Sequence, residues 1–184
     1  VKVELLAEST NSINISKKSD TTALKDTIKN FVTDYNNMIT MMNGLVKETK
    51  DANFQPLTKE QKAEMSETEI KDWEAKAKTG ILSGDAILKS ITSKMQTMMY
   101  GSAVEGGIGL YSIGITSAGY TENGKLVIDE EKLNAALETK GVEIQELFSK
   151  ETTGLASQLN SVIDGAAKST GVKGSRGTLV EMAG

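Results

Sequence analysis

Apolar residues recur along the chain with two different periods, and the switches between them divide it into elements. Residues 1–16 alternate in places: Val1, Val3 and Leu5, then Ile13 and Ile15, with Asn11-Ser12 between the runs. Period-2 patterning around a turn predicts a β-hairpin, which needs a sheet or helix to pack on. After Ser19-Asp20-Thr21-Thr22, which offers N-cap side chains, the period changes. Leu24, Ile28, Phe31, Tyr35, Met38, Met42 and Leu45 follow at spacings of 4, 3, 4, 3, 4 and 3. That heptad predicts a helix of about 25 residues with a coiled-coil-like seam. Val32, Ile39 and Val46 widen the stripe, which favours a helix in a bundle over an isolated two-stranded coil.

Residues 51–58 read as a loop punctuated by Pro56. Thr58-x-x-Gln61 and Ser66-x-x-Glu69 match the capping box, predicting a helical turn at 59–64 and a helix at 67–78. Trp73 lies on the second with Ile70 and Ala77, and Gly80 is placed to terminate it. A helix at 85–100 follows, with Leu88, Ile91, Met95 and Met98 repeating the 3, 4, 3 spacing and Ile87 and Met99 beside them. Glycines at 101, 106, 107, 109, 114 and 119 then break any helix. Leu110–Thr116 reads as a strand, Asn123-Gly124 is a hairpin signal, and Lys125–Ile128 reads as the returning strand. Asp129 caps a predicted helix at 130–139. A short helix at 142–149 and a last one at 154–169, capped by Thr152-Thr153, complete the pattern. The tail from Gly171 is glycine-rich. The predicted fold class is mainly α (α+β): an antiparallel helical bundle with coiled-coil-like seams plus β-hairpins.

Composition narrows the chemistry. The 184 residues include no Cys and no His, which excludes Ser-His-Asp and Cys-His catalysis, Cys/His zinc sites, disulfides and histidine switches. Carboxylate, Lys, Ser/Thr and Tyr chemistry remain. The net charge of −4 and the lack of a Lys cluster beyond Lys17-Lys18 argue against nucleic acid as a partner. The longest apolar run, Gly106–Tyr111, is far short of the roughly 20 residues of a membrane helix, so membrane insertion is not expected. The start, Val1-Lys2-Val3-Glu4, has neither Met nor signal-peptide regions and opens in mid-strand, as a piece of a longer protein would. The missing Cys suits a reducing compartment, or equally an extracellular protein that avoids disulfides.

None of the remaining candidates assembles into a site. Asp129-Glu130-Glu131, Glu67 with Glu69, and Glu143 with Glu146 sit mostly at predicted helix starts, where acids complement the macrodipole. They read as solvated or capping residues; no metal site is expected, since the EF-hand spacing is absent. The stretch 165–175 misses the Walker A spacing, and Gly106-Gly107-x-Gly109 follows a helix where a dinucleotide site needs a strand. The sequon Asn14-Ile15-Ser16 decides nothing. No catalytic residue and no cofactor is expected. The candidate functional residues are the two stripes themselves, as a bundle or self-association seam: Leu24, Ile28, Phe31, Tyr35, Met38, Met42 and Leu45 on one helix, Leu88, Ile91, Met95 and Met98 on the other. Their methionines, with Met41 and Met99, suit core packing or an adaptable binding face. Trp73 is expected to anchor its short helix to the bundle, with a partner contact as the alternative.

Several stretches go further. The run from Pro56 to Leu82, PLTKEQKAEMSETEIKDWEAKAKTGIL, closely resembles a segment of the flagellar hook-associated protein 2 family, the bacterial filament cap proteins. TTALKDTIKNFVTDYNNMI before it is similar to the same family's long helix. Ser112–Thr116, Gly124–Asp129, Lys132-Leu133, Ala136-Leu137 and Leu147-Phe148 fit too, the last shared more loosely with flagellins. The resemblance spans residues 18–184.

The resemblance implies a structural assembly protein and not an enzyme. Cap proteins form a ring-shaped homo-oligomer at the distal tip of the filament and hold exported flagellin while it folds and inserts. They reach the extracellular flagellum tip through the flagellar type III pathway, with an export chaperone expected as a further partner. Residues 1–17 would be terminal strands of a β-rich head domain, and 18–184 the returning half of a helical leg domain with a β-hairpin at about 110–128. Against a full family member, the N-terminal half and the C-terminal coiled coil are missing. The Leu24–Leu45 heptads would then be free to pair with absent helices. The alternative function is a surface adhesion module for host mucin or glycans, carried in that case by the head.

Overall fold

The computed structural model describes residues 21–101 and 107–167. The predicted hairpin of residues 1–16, the head-domain strands at 1–17, the sequon and the glycine-rich tail lie outside them. Among the described residues there are six α-helices and one two-stranded antiparallel sheet.

The long heptad forms α1, Thr22–Lys47, 26 residues. Thr21 takes the N-cap position without a side-chain capping bond. Both predicted capping boxes form. Thr58 and Gln61 cap α2, Lys59–Ala63, and Ser66 and Glu69 cap α3, Glu67–Lys78. Thr79 and then Gly80 end α3, Gly80 at φ +73. A Cβ at Gly80 would lie 2.5 Å from the backbone nitrogen of Lys50, so only glycine fits where the returning chain crosses the end of α1. The Glu48 carboxylate accepts the Gly80 N–H at 2.9 Å, and the Val46 carbonyl accepts the Gly84 N–H at 2.9 Å. The segment 48–85 thus leaves α1 and returns to it. Asp85 then accepts from the Leu88 N–H at 2.8 Å at the start of α4, Ala86–Gly101.

The glycine-rich region departs from the expected pattern. Leu110–Ile113 is a 3₁₀ turn and not a strand. At three residues per turn, positions i and i+3 eclipse. Leu110 and Ile113 therefore both point into the core while Tyr111 and Ser112 face out, which a strand's alternation could not achieve. The Ser112 hydroxyl closes the turn on both backbone groups of Gly109. Gly114, at φ +83, redirects the chain into β1, Ile115–Ser117. This strand pairs with β2, Leu126–Ile128, in the register Ile115↔Ile128, Thr116↔Val127 and Ser117↔Leu126. Asn123-Gly124 is not a two-residue turn here: a 3₁₀ turn at Tyr120–Glu122 precedes it, and the pair forms the exit of a longer loop.

Asp129 caps α5, Glu130–Ser149, through the Lys132 N–H. The two helices expected at 130–139 and 142–149 are the two arms of α5, separated by a kink where Lys140 leaves helical geometry (φ −134, ψ 32). The kink lets Leu133 and Leu137 before it, and Ile144, Leu147 and Phe148 after it, all reach the core. The last described helix is α6, Leu155–Ala167. Helices α1, α4, α5 and α6 pack around one hydrophobic cluster, which the 3₁₀ turn and hairpin complete with Leu110, Ile113, Ile115 and Leu126. No residue between Met42 and Ile87 belongs to that cluster, and α2 and α3 contain no buried residue. The 48–85 excursion is therefore stabilised locally.

Two regions of different cooperativity are expected. Leu133 is fully buried, so Leu133→Ala will lower the unfolding free energy by about 2–5 kcal/mol. Trp73→Ala will loosen residues 48–85 while the bundle's urea midpoint moves little. Hydrogen exchange and urea titration read the two effects separately; a Trp73→Ala variant that melts the whole bundle contradicts this division.

Candidate assembly surface

Helical geometry sorts the α1 seam into two lines. Ile28, Tyr35 and Met42 are buried, joined there by Val32 and Ile39. Leu24, Phe31, Met38 and Leu45 are half-buried. At 3.6 residues per turn the second line lies at the margin of the buried face, and Met41, 61% exposed, continues the apolar strip beyond it. On α4, Ile91 and Met95 are buried with Met99, while Leu88, Met98 and Ile87 are half-buried. The heptad and the widening pair Val32 and Ile39 together make up the buried face of α1, which packs against α4, α5 and β2. At the margin, Phe31 meets Phe148 of α5 edge-to-face with ring centroids 5.3 Å apart.

Trp73 anchors differently from expectation. It packs edge-on against Phe54 at 4.8 Å, and its indole N–H donates to the Gln55 carbonyl at 2.8 Å. The Lys76 ammonium lies over the Phe54 ring, 4.8 Å from its centroid, and Lys62 pairs with Glu74. These contacts tie α3 to the loop and helix just before it. The anchor is internal to the excursion.

The hairpin is held to the bundle by side chains that the hydrophobic pattern did not single out. The Asn36 carbonyl oxygen accepts the Leu126 N–H at 2.8 Å, and its amide donates to the Leu126 carbonyl at 2.8 Å. One side chain thereby does for β2 what a neighbouring strand would do. Tyr35 donates to the Gly124 carbonyl at 3.1 Å. Burial pushes the Tyr35 phenol well above its usual value, so it stays a neutral donor. Asn43 and Gln96, from α1 and α4, both donate to the Asn123 carbonyl, at 3.0 and 3.1 Å. A signal existed in the sequence: Asn is a poor helix-interior residue, and α1 places Asn36 and Asn43 beside its apolar stripe.

Among the acids read as capping or solvated, Asp129 caps α5, whereas Glu130 bridges two helices. Lys25 and Lys29 of α1 each lie 2.6 Å from its carboxylate. Their hydrogen bonds and charges hold Glu130 at about 2, below the ordinary glutamate value.

A cleft of about 350 Å³ runs beside β1, lined by Tyr100, Leu110, Tyr111, Ser112, Ile115 and Thr116 among others, with no carboxylate or lysine in its described wall. Among the described residues no group of three or more Asp or Glu is placed to hold a metal ion, and no helix is long and apolar enough to cross a membrane. Packing surface, not converging reactive groups, is what the described structure offers: it is a helical scaffold with a clamped hairpin. The chain matches the family model described as "Flagellar hook-associated protein 2 C-terminus" over residues 1–180, and it belongs to that family. It is 36% identical over 145 residues to flagellar hook-associated protein 2 of Halalkalibacterium halodurans, covering 77% of this chain and 27% of that protein. It is 32% identical over 159 residues to the Thermotoga maritima protein of the same name, covering 83% and 24%. The B-type flagellar hook-associated protein 2 of Pseudomonas aeruginosa is 26% identical over 180 residues, covering 97% and 33%. The chain therefore spans a quarter to a third of the length of these relatives. A crystal structure of the D1-D2-D3 domains of the flagellar cap protein FliD from Escherichia coli shares the fold, with a TM-score of 0.55 at 24% identity over 83% of this chain and 34% of that one.

Asn36→Ala leaves the N–H and carbonyl of Leu126 without their partner, and an expected loss of about 1–3 kcal/mol will show as a lower urea midpoint. Asn36→Asp will not rescue it, because a carboxylate oxygen then faces the Leu126 carbonyl. Glu130 predicts an acid dependence. Its folded-state value of about 2 lies below the ordinary glutamate value of 4.5, so the cluster stabilises the fold above about pH 4.5 and loses that contribution as pH falls toward 2. The stability difference between the wild type and Glu130→Gln will shrink through that window and with added salt. A difference unchanged from pH 7 to pH 2 refutes the linkage.

Proposed function

We propose that this chain is part of the cap at the distal end of the flagellar filament, where it promotes flagellin folding and insertion without covalent chemistry. The family match over residues 1–180 carries this reading, and the fold shared with a protein described as a flagellar cap supports it. The leg-domain assignment of residues 18–184, with head-domain strands at 1–17, belongs to the same proposal. In it, the bundle provides a stiff support. The half-buried margin of α1, Leu24, Phe31, Met38 and Leu45 with exposed Met41, is the surface left for helices of the rest of the protein or of further copies in a ring. Export by the flagellar type III pathway, a chaperone during export, and flagellin as client are the partners this role requires. A chain without cysteine can pass through such a pathway unfolded with no disulfide to re-form.

The full-length protein containing this chain is expected to restore filament growth to a cap-deficient strain. The same protein with Met38→Glu and Met41→Glu is expected to fold, by circular dichroism, yet to lose both ring formation in light scattering and filament growth. Failure of the wild type to complement overturns the cap role. Normal rings and filaments with the charged pair overturn only the assignment of the α1 margin.

A further inference from the structure

We propose that Asn123 is a latent deamidation site, and that Asn43 and Gln96 keep it unreacted in the folded chain. An asparagine followed by glycine offers the least steric resistance to attack by the next backbone nitrogen, because the following residue has no Cβ. Asn123 is exposed to water, and it and Gly124 both lie in the left-handed region, at φ 50 and φ 94. In the reaction the Gly124 nitrogen attacks Asn123 Cγ. The N–Cγ bond forms, the Cγ–Nδ2 bond breaks, and ammonia leaves with the former Gly124 amide proton. Water then opens the cyclic imide. Attack at the side-chain carbonyl yields aspartate; attack at the backbone carbonyl yields isoaspartate, with one methylene added to the main chain.

The fold opposes the first step. Peptide planarity ties the Asn123 carbonyl oxygen and the attacking Gly124 nitrogen into one plane. That oxygen accepts from Asn43 Nδ2 at 3.0 Å and from Gln96 Nε2 at 3.1 Å, which holds ψ of Asn123 near 43°. The next carbonyl is held by Tyr35 at 3.1 Å. The side-chain amide itself is turned back onto the Thr121 carbonyl at 2.8 Å. Bringing the Gly124 nitrogen onto Cγ requires rotation about ψ, and the same rotation carries the carbonyl away from both donors. Gln96 also closes over Gly124, where a Cβ would lie 2.3 Å from its Nε2. Two ordinary hydrogen bonds suppress such opening by roughly 5- to 30-fold. The products would loosen the loop. A carboxylate would replace the donor to Thr121, and an isoaspartyl methylene would shift the loop against Tyr35, Asn43 and Gln96.

The test is incubation of the 184-residue chain in mildly alkaline buffer, folded and in urea, with aspartate and isoaspartate at Asn123 quantified in its own peptide by mass spectrometry, because Asn43-Gly44 is a second Asn-Gly pair. Folded wild type is expected to react at least about 5-fold more slowly than the denatured chain. Asn43→Ala and Gln96→Ala, each checked for fold by circular dichroism, are expected to react faster than wild type, and the double variant faster still. Folded wild type reacting at the denatured rate overturns the proposal. So do folded single variants that react no faster than wild type. If the double variant does not fold, the single variants decide.

Discussion

A strand edge packed against a helix leaves backbone groups that neither water nor a neighbouring strand can satisfy, and the arrangement of this molecule turns on how that is met at β2. A two-stranded ribbon is marginal alone. Here its outer edge lies on α1, and Asn36 pairs with both backbone groups of Leu126. With that edge closed, Leu126, Ile115 and Ile113 seal the core on the hairpin side. Tyr35, one turn of α1 away from the margin and fully buried, serves the core with its ring and the hairpin with its hydroxyl. The same helix therefore carries the hydrophobic face and the polar fittings that orient the sheet on it.

The rest of the molecule divides by how its stability is obtained. The bundle relies on long-range burial among α1, α4, α5 and α6. The 48–85 excursion relies on short-range devices: two capping boxes, an indole–carbonyl bond, an edge-to-face aromatic pair and a cation over a ring. Such devices contribute of order 1 kcal/mol each and act within a few turns of chain. They preserve local shape without demanding that the bundle be intact, which suits a segment that hydrogen-bonds the end of α1 through Gly80 and Gly84.

Much of this was legible in the sequence wherever local chemistry decides. The boundaries of α2 and α3 follow from Thr58/Gln61 and Ser66/Glu69, because a capping box is complete within four residues. Gly80 was legible as a terminator for the same reason. The 3₁₀ turn at Leu110–Ile113 was not, since LYSIGIT satisfies a period of two as well as a period of three, and only the position of the core selects between them. The break in α5 was legible: the sequence reads two helices meeting near Gly141, and the backbone leaves helical geometry at Lys140. Glu130 read as one more acid at a helix start until the fold placed Lys25 and Lys29 against it.

By itself, the sequence determined the class of protein: a chain with heptad stripes, paired capping boxes and a characteristic tryptophan segment. Periodicity and capping are properties of neighbouring residues, so they survive in one dimension. The tertiary structure decided which line of the α1 stripe is buried, which partner Trp73 chose, and that Asn36, Asn43 and Gln96 belong to the hairpin. Those facts depend on residues some 27 to 90 positions apart, brought together by burial of apolar surface that has no direction of its own. No pattern along the chain records where such a force will bring two distant segments to rest.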